Sequence, residues 1–123
     1  MKKFFFICSL LFSSCFLNVA PSLSSQPQLV ASEIQKLLSL TSETDQVIKT
    51  FYTNRDYMPY WLNNKKSIDE LILALTNAPK QGIPIIRYEV EKITNLHGTE
   101  GHLELAQLEI LLTKKFLLYA KDI

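Results

Sequence analysis

The chain has 123 residues, of which 47% are apolar and 20% charged, and this balance fits one folded domain with a core of its own. The length is too short for two domains of ordinary size. The formal net charge is +1, and the basic residues run together only in pairs such as Lys65-Lys66 and Lys114-Lys115. This pattern argues against a nucleic-acid-binding protein, which would show a basic stripe.

The first 25 residues have the pattern of a secretory signal peptide. A positive start is followed by an apolar segment from residue 4 to 17 and then by small residues. The apolar segment is shorter than the roughly 20 residues of a membrane span. We therefore predict a signal peptide over about residues 1–25, cleavage after Ser22 or Ser24, and export of residues 26–123 to the periplasm.

Two alternatives would keep the exported chain at the inner membrane. One is an uncleaved signal, and the other is a lipid attached to Cys15, although Phe12 is unlike the small aliphatic residue expected before such a cysteine. Both cysteines, Cys8 and Cys15, lie inside the predicted signal. The exported part therefore has no thiol nucleophile and no thiolate metal ligand.

Beyond residue 26 the apolar residues recur at helical spacing, and the alternation typical of strands is missing. We predict an all-α fold, a small bundle of about five helices. The helices are expected at about 28–38, from 42 to near 56, from 67 to near 82, from 84 to 97, and at 103–120. The apolar positions of the first four predict these buried residues: Val30, Ile34, Leu37, Leu38, Val47, Ile48, Phe51, Tyr52, Ile68, Leu71, Ile72, Leu75, Ile86, Val90, Ile93 and Leu96.

Local signals predict where several of these helices begin and end. Ser42 with Asp45, and Ser67 with Glu70, have the spacing of capping pairs and predict the starts of the second and third helices. Pro79 predicts a kinked or shortened last turn in the third helix.

One short segment carries a dense group of aromatic residues around one arginine and one proline. We call it the aromatic corner, and its members are Phe51, Tyr52, Arg55, Tyr57, Pro59, Tyr60 and Trp61. Aromatic rings bury large areas, and their hydroxyl and indole groups need hydrogen-bond partners when buried. We predict a structural bend after the second helix, in which Arg55 donates hydrogen bonds and stacks on rings. The alternative is that Tyr57, Tyr60 and Trp61 are exposed and stack on a sugar or peptide.

The last predicted helix is apolar on nearly all sides. One stripe consists of Leu105, Leu108, Leu112, Phe116 and Tyr119. On another face Leu103, Ile110 and Leu117 recur seven residues apart. Such a helix needs cover on every side. The preceding helices, a missing C-terminal part or a partner protein could provide it, so this second row is a candidate interaction face.

The histidines offer only a weak metal signal. His97, Glu100 and His102 lie in one glycine-containing segment, but their spacing matches no helical zinc signature. We interpret the segment as a solvated connector between helices.

The carboxylate pairs offer no better catalytic signal. Glu89 with Glu91, and Glu104 with Glu109, are two and five residues apart, so neither pair shares a helical face. We interpret all four as ordinary surface charge. The prediction is therefore a protein that is not an enzyme by itself, with no catalytic residue, no cofactor and no metal.

In their order and spacing, several motifs resemble the helical scaffold domain of the large periplasmic L,D-transpeptidases over about residues 41–123. The motifs are Phe51-Tyr52, Arg55, Tyr57, Pro59, Trp61, Leu71, Leu75, Ala78, Gly82-Ile83-Pro84, Arg87-Tyr88, Leu111-Leu112-Thr113, Phe116-Leu117 and Tyr119-Ala120. In that family the scaffold precedes a peptidoglycan-binding module and a cysteine-dependent catalytic domain, which cross-links stem peptides between meso-diaminopimelate residues.

The resemblance implies a non-catalytic scaffold module of peptidoglycan cross-linking, truncated before the catalytic domain, because the catalytic histidine and cysteine of the family have no counterpart in this sequence. Its implied partners are peptidoglycan and a transpeptidase catalytic domain or other partner protein. A second reading stays open, in which the chain is an independent small periplasmic protein that holds a wall fragment or a partner at the aromatic corner.

Overall fold

A computed structural model describes residues 25–40 and 45–123 of the chain. In these ranges there are five α-helices and no strand: α1 (Gln26–Leu40), α2 (Gln46–Thr53), α3 (Lys65–Thr76), α4 (Val90–His97) and α5 (His102–Asp122). Three short 3-10 helices connect them: Trp61–Asn63, Ala78–Gln81 and Ile85–Tyr88. The prediction of an all-α fold with about five helices is confirmed. The predicted signal peptide with both cysteines, and Ser42, lie outside the described residues.

Helix α5 lies at the centre of the molecule and contributes to two apolar clusters. On one side, α1 and α2 pack against it, with Ile34 and Tyr52 near Ala106. On the other side, α3 and α4 pack against it, with Leu75 near Leu108. Because one helix serves both clusters, its apolar residues on several faces are buried. Within the described residues no helix is long and apolar enough to cross a membrane.

The starts of α2 and α3 differ from the predicted capping pairs. Asp45 is the N-cap of α2, and its side chain accepts a hydrogen bond of 3.0 Å from the backbone N–H of Val47. The prediction that Ser67 opens α3 is wrong, because α3 begins at Lys65 after Asn64. The 3-10 helix that starts at Trp61 ends at Asn63, and Asn64 is both its C-cap and the N-cap of α3, so the chain enters the helix earlier than the capping pair suggests.

The end of α3 follows the prediction made from Pro79. The α-helix stops at Thr76, and the following turn, Ala78–Gln81, is a tighter 3-10 helix that contains Pro79. Gly82 terminates it with a left-handed backbone at a φ of 81°, a conformation that glycine adopts without steric cost.

The predicted fourth helix is divided in two. After Pro84 the chain forms the 3-10 helix Ile85–Tyr88, and Glu89 then takes a left-handed φ of 51° before α4 begins at Val90. This break places Tyr88 in the core and leaves Ile86 84% exposed, so the prediction that Ile86 is buried is wrong. Val47 was also expected inside but is 58% exposed, since the buried face of α2 is made by Ile48 and Tyr52.

Candidate functional site

Tyr52 is the most deeply buried ring of the aromatic corner. Its hydroxyl oxygen lies 2.5 Å from Glu109 Oε2, 2.6 Å from Thr113 Oγ1 and 3.0 Å from the backbone oxygen of Glu109. Burial, and then the charge of Glu109, raise the pKa of Tyr52 far above its usual value, so the hydroxyl stays protonated. Tyr52 thus ties α2 to the middle of α5.

Trp61 joins the same group of polar atoms from the other side. Its indole Nε1 donates a hydrogen bond of 2.9 Å to Thr113 Oγ1, and only 7% of the residue is exposed. Trp61 is therefore buried at the corner and tied to α5. The hydroxyl of Thr113 lies between Tyr52 and Trp61 and connects both to α5.

Glu109 is fully buried, and the interpretation of this residue as surface charge is wrong. Its Oε1 accepts a 3.0 Å hydrogen bond from the backbone N–H of Leu62, and the backbone amides of Tyr60 and Trp61 also stabilise the carboxylate. Burial raises the pKa of Glu109, while the hydrogen bonds from Tyr52 and the backbone oppose this rise. A buried carboxylate is tolerated where such donors replace water.

Arg55 behaves as predicted in one respect and differs in another. Its guanidinium lies 5.5 Å from the ring centre of Phe51 and 5.3 Å from that of Tyr60, which confirms stacking. Its hydrogen bonds go to the backbone oxygens of Met58 and Pro59, each at 3.2 Å. The Tyr52 hydroxyl and the Trp61 indole take their partners from α5 instead. An indole N–H is a donor and cannot pair with another donor such as arginine.

The turn after α2 contains two strained residues. Asp56 and Tyr57 have positive φ values of 53° and 62°, a region that costs non-glycine residues roughly 1–2 kcal/mol each. The backbone N–H of Tyr57 donates a 2.7 Å hydrogen bond to the oxygen of Tyr52, which closes the turn. Pro59 is buried directly after it. The helix stops at Thr53, slightly before the predicted end near Asp56.

A cavity of about 520 Å³ lies beside the corner, between α2, α3 and α5. We call it the aromatic groove. Its lining residues are Val47, Phe51, Tyr60, Trp61, Ser67, Glu70, Leu71, Ala74, Thr113, Phe116, Leu117 and Tyr119. Val47, Tyr60 and Phe116 are 58%, 36% and 46% exposed, so the groove presents apolar side chains to solvent. The ring of Trp61 lies 5.3 Å from that of Tyr60 and 5.8 Å from that of Phe116.

The three residues of the candidate interaction face on α5 differ in their exposure. Ile110 is 8% exposed and packs in the cluster that contains α1, and Leu117 is partly buried against the same cluster. Leu103 is 43% exposed. Helix α1 thus covers much of this row, and the row is not a continuous exposed surface.

A family model described as Scaffold domain matches residues 46–123, which contain the whole aromatic corner and helices α2 to α5. This chain belongs to the Scaffold domain family. Helix α1 lies before the matched part but packs against the same core. No curated protein and no solved structure matches the chain.

The Scaffold domain contains a second polar group at the end of α5, which we call the terminal latch. Arg87 Nε and the terminal nitrogen Nη2 lie 2.7 and 3.1 Å from the two carboxylate oxygens of Asp122, and the Tyr88 hydroxyl donates to Asp122 at 2.7 Å. Arg87 and then Tyr88 lower the pKa of Asp122. Burial and the Asp122 contact raise the pKa of Tyr88 to about 12. Sequence reasoning noted Arg87-Tyr88 as a motif and missed its partner.

The histidine segment of the Scaffold domain borders a different groove. His97, Glu100 and His102 line it together with residues from α1 and α3. Among residues 25–40 and 45–123, no group of three histidine, cysteine, aspartate or glutamate side chains is placed to hold a metal ion.

Proposed function

We propose that this chain is a non-catalytic helical support module of an L,D-transpeptidase system that cross-links peptidoglycan in the periplasm. The observation that supports this most is the buried network of Tyr52, Trp61, Glu109 and Thr113, which fixes α2, the corner and α5 as one rigid body. A support module needs such rigidity to hold a partner in a fixed position. The order of motifs that resembles the transpeptidase scaffold, together with membership of the Scaffold domain family, supports the same role.

Reconstitution with muropeptides tests the support role. The purified chain is mixed with cysteine-dependent L,D-transpeptidase catalytic domains from the same bacterium, and cross-linked products are measured by mass spectrometry. We expect the chain alone to make no product, to bind one catalytic domain and to raise its yield. Cross-linking by the chain alone would show an enzyme, and the lack of any bound catalytic domain would refute the support role.

A second candidate is an independent periplasmic binding module, which the exposed rings of Tyr60 and Phe116 at the aromatic groove favour. In this role the groove would hold a wall fragment or a partner protein. Co-sedimentation with purified sacculi tests the wall version. Wild type should sediment with the sacculi, and Phe116→Ala should sediment less at an unchanged melting temperature. Wild type that stays in the supernatant would rule out wall binding.

A further inference from the structure

We propose that the aromatic groove is a docking site for a basic amphipathic segment of a partner protein. Such a segment presents apolar side chains with a lysine or arginine beside them. The inference rests on the proposed support function and deepens it, because it names the surface that would hold the partner and the chemistry that the surface selects.

The shape of the groove suits apolar side chains. Its volume of about 520 Å³ falls within the roughly 300–1,000 Å³ of ligand pockets. Three exposed apolar residues, Val47, Tyr60 and Phe116, face one site from two helices and the corner. Exposed apolar groups that gather in this way mark interaction surfaces more often than single scattered ones do.

Two polar groups of the lining are already paired with each other, which favours apolar side chains over a sugar at that part of the groove. Sugar hydroxyls need several hydrogen-bond partners in their site. The indole Nε1 of Trp61 and the Oγ1 of Thr113 already bond to each other, at 2.9 Å, so they are occupied. Apolar side chains of a peptide would bury the ring surfaces without disturbing this bond.

Charge selects a basic occupant. Among the lining residues of the groove, Glu70 is the only one with a charged side chain. Its carboxylate lies 4.0 Å from the ammonium of Lys66, and both side chains are largely exposed, so this contact is weak and easily exchanged. A cation of the partner would pair with Glu70 on the α3 side of the groove.

The ring faces of Phe51 and Tyr60 are already occupied by a cation of this molecule and are not a second cation site. Aromatic faces attract cations, and the guanidinium of Arg55 already stacks over Phe51 and Tyr60 within this molecule. Because Arg55 occupies those faces, the partner's cation belongs at Glu70 and its apolar side chains belong near Phe116.

The larger groove of about 1,220 Å³ between α1, α4 and α5 gives no such selection. Its lining contains both acidic and basic side chains, including Glu91, Lys92 and Lys114. Mixed charges of this kind do not favour one class of partner.

Trp61 provides a direct measurement, because it is the only tryptophan of the chain and lines the aromatic groove. The full chain is titrated with a synthetic amphipathic peptide of leucine and lysine while Trp61 fluorescence is recorded. Two peptides of equal length serve as controls, one of leucine and glutamate and one of serine and lysine. We expect a saturable change with the leucine–lysine peptide and little change with the other two.

Two charge reversals on one helix test the site. Glu70→Lys should lower the affinity of the chain for the leucine–lysine peptide by about fivefold or more. This factor corresponds to about 1 kcal/mol for an exposed ion pair. Asp69→Lys is the matched control, because it changes the net charge by the same amount. Asp69 is exposed, lies next to Glu70 on α3 and does not line the groove. Its replacement should therefore leave the affinity for the peptide nearly unchanged. Circular dichroism confirms the fold, and Glu70→Gln replaces Glu70→Lys if the latter unfolds.

Several outcomes would overturn the docking site. One is an equal loss of peptide affinity in Glu70→Lys and Asp69→Lys, and another is that the leucine–glutamate peptide binds as tightly as the leucine–lysine peptide. The site would also be refuted by a saturable change of Trp61 fluorescence with soluble wall glycan, or by a dimer in sedimentation experiments that the peptide does not dissociate.

The two proposals fail separately in a last titration with the transpeptidase catalytic domain. If that domain binds wild type and Glu70→Lys equally, the support role is retained and the docking site is refuted. If the basic peptide binds at Glu70 but no catalytic domain binds, the docking site is retained and the transpeptidase role is refuted.

Discussion

Glu109 illustrates how one buried charge can organise a whole corner. Its carboxylate accepts from the Tyr52 hydroxyl and the Leu62 amide, and therefore joins α5 to α2 and to the 3-10 turn that starts at Trp61. Within the described residues, no buried side-chain nitrogen or oxygen lacks a hydrogen-bond partner. A fully satisfied network of this kind favours a single arrangement of the helices over alternatives.

We expect Glu109→Ala to lower the free energy of unfolding by about 3–5 kcal/mol, because it removes the shortest hydrogen bond of the Tyr52 hydroxyl and leaves the backbone N–H of Leu62 without its carboxylate acceptor. Glu109→Gln should cost less, since the amide oxygen can still accept from Leu62. Urea denaturation measures both values.

Glu70→Ala and Glu70→Gln are the matched controls, because Glu70 is an exposed glutamate on another helix. We expect each to change the free energy of unfolding by less than about 0.5 kcal/mol. Equal stability of Glu109→Ala and Glu70→Ala would contradict the structural role of Glu109.

At this scale the sequence predicted the contacts that are local and missed those that cross the molecule. Arg55 and the rings around it are close in sequence, so their stacking could be expected from residue types alone. Glu109 lies more than 50 residues from Tyr52, and a glutamate on a helix is usually exposed. Its place inside the apolar run Leu108–Leu112 was the one available signal.

At the scale of the elements, the last turn of α5 is stabilised by contacts to the segment before α4. The terminal latch does this by joining Asp122 to Arg87 and Tyr88, while the ammonium of Lys115 lies 2.8 Å from Glu89 Oε2. A carboxylate at the C-terminal end of a helix is disfavoured by the helix dipole. The cation of Arg87 offsets this repulsion and so stabilises the helix end that contains Asp122.

The latch predicts a pH dependence. Arg87 lowers the pKa of Asp122 in the folded state. The ionised Asp122 carboxylate therefore stabilises the fold above its unfolded pKa of about 4, and this contribution is lost as the pH falls through its folded pKa. Asp122→Asn should therefore have a lower melting temperature at neutral pH, and a smaller loss between neutral and acidic pH, than wild type. Thermal melts across this range measure the difference.

The comparison with wild type is needed because Glu109 gives stability a pH dependence opposite to that given by Asp122. Its pKa is raised on folding, so its contribution to stability falls as pH rises through the interval between the unfolded and folded values. This trend is common to wild type and Asp122→Asn and cancels in their difference. Parallel pH profiles for the two proteins would refute the latch.

The boundaries of elements were predicted less well than their existence. Apolar spacing indicated all five helices, but the short 3-10 helix at Ile85–Tyr88 and the start of α3 depend on how Trp61 and Tyr88 pack against α5. Such packing overrides local capping signals. The same cause explains why Ile86 is exposed and Tyr88 is buried.

For the whole molecule, the two apolar clusters behave as one core because α5 belongs to both, and Leu62 packs against each of them. Helix α1 lies outside the region matched by the Scaffold domain family but contributes Ile34 and Leu38 to the cluster that contains Tyr52. Helix α1 therefore packs in the same core as the matched helices.

We therefore expect Ile34→Ala to lower the free energy of unfolding of the entire domain by about 2–5 kcal/mol, as for other large-to-small changes at fully buried sites. Leu40→Ala is the control on the same helix, because Leu40 is 80% exposed and its loss should matter by less than about 0.5 kcal/mol. Denaturation is followed by circular dichroism and by the fluorescence of Trp61.

Trp61 lies in the other apolar cluster, so it reports whether the loss at Ile34 is transmitted through α5. If the domain unfolds in one cooperative step, both signals shift together in Ile34→Ala. A Trp61 transition that stays at the wild-type midpoint, while the helical signal changes, would show that α1 unfolds separately and that the cooperative unit begins after it.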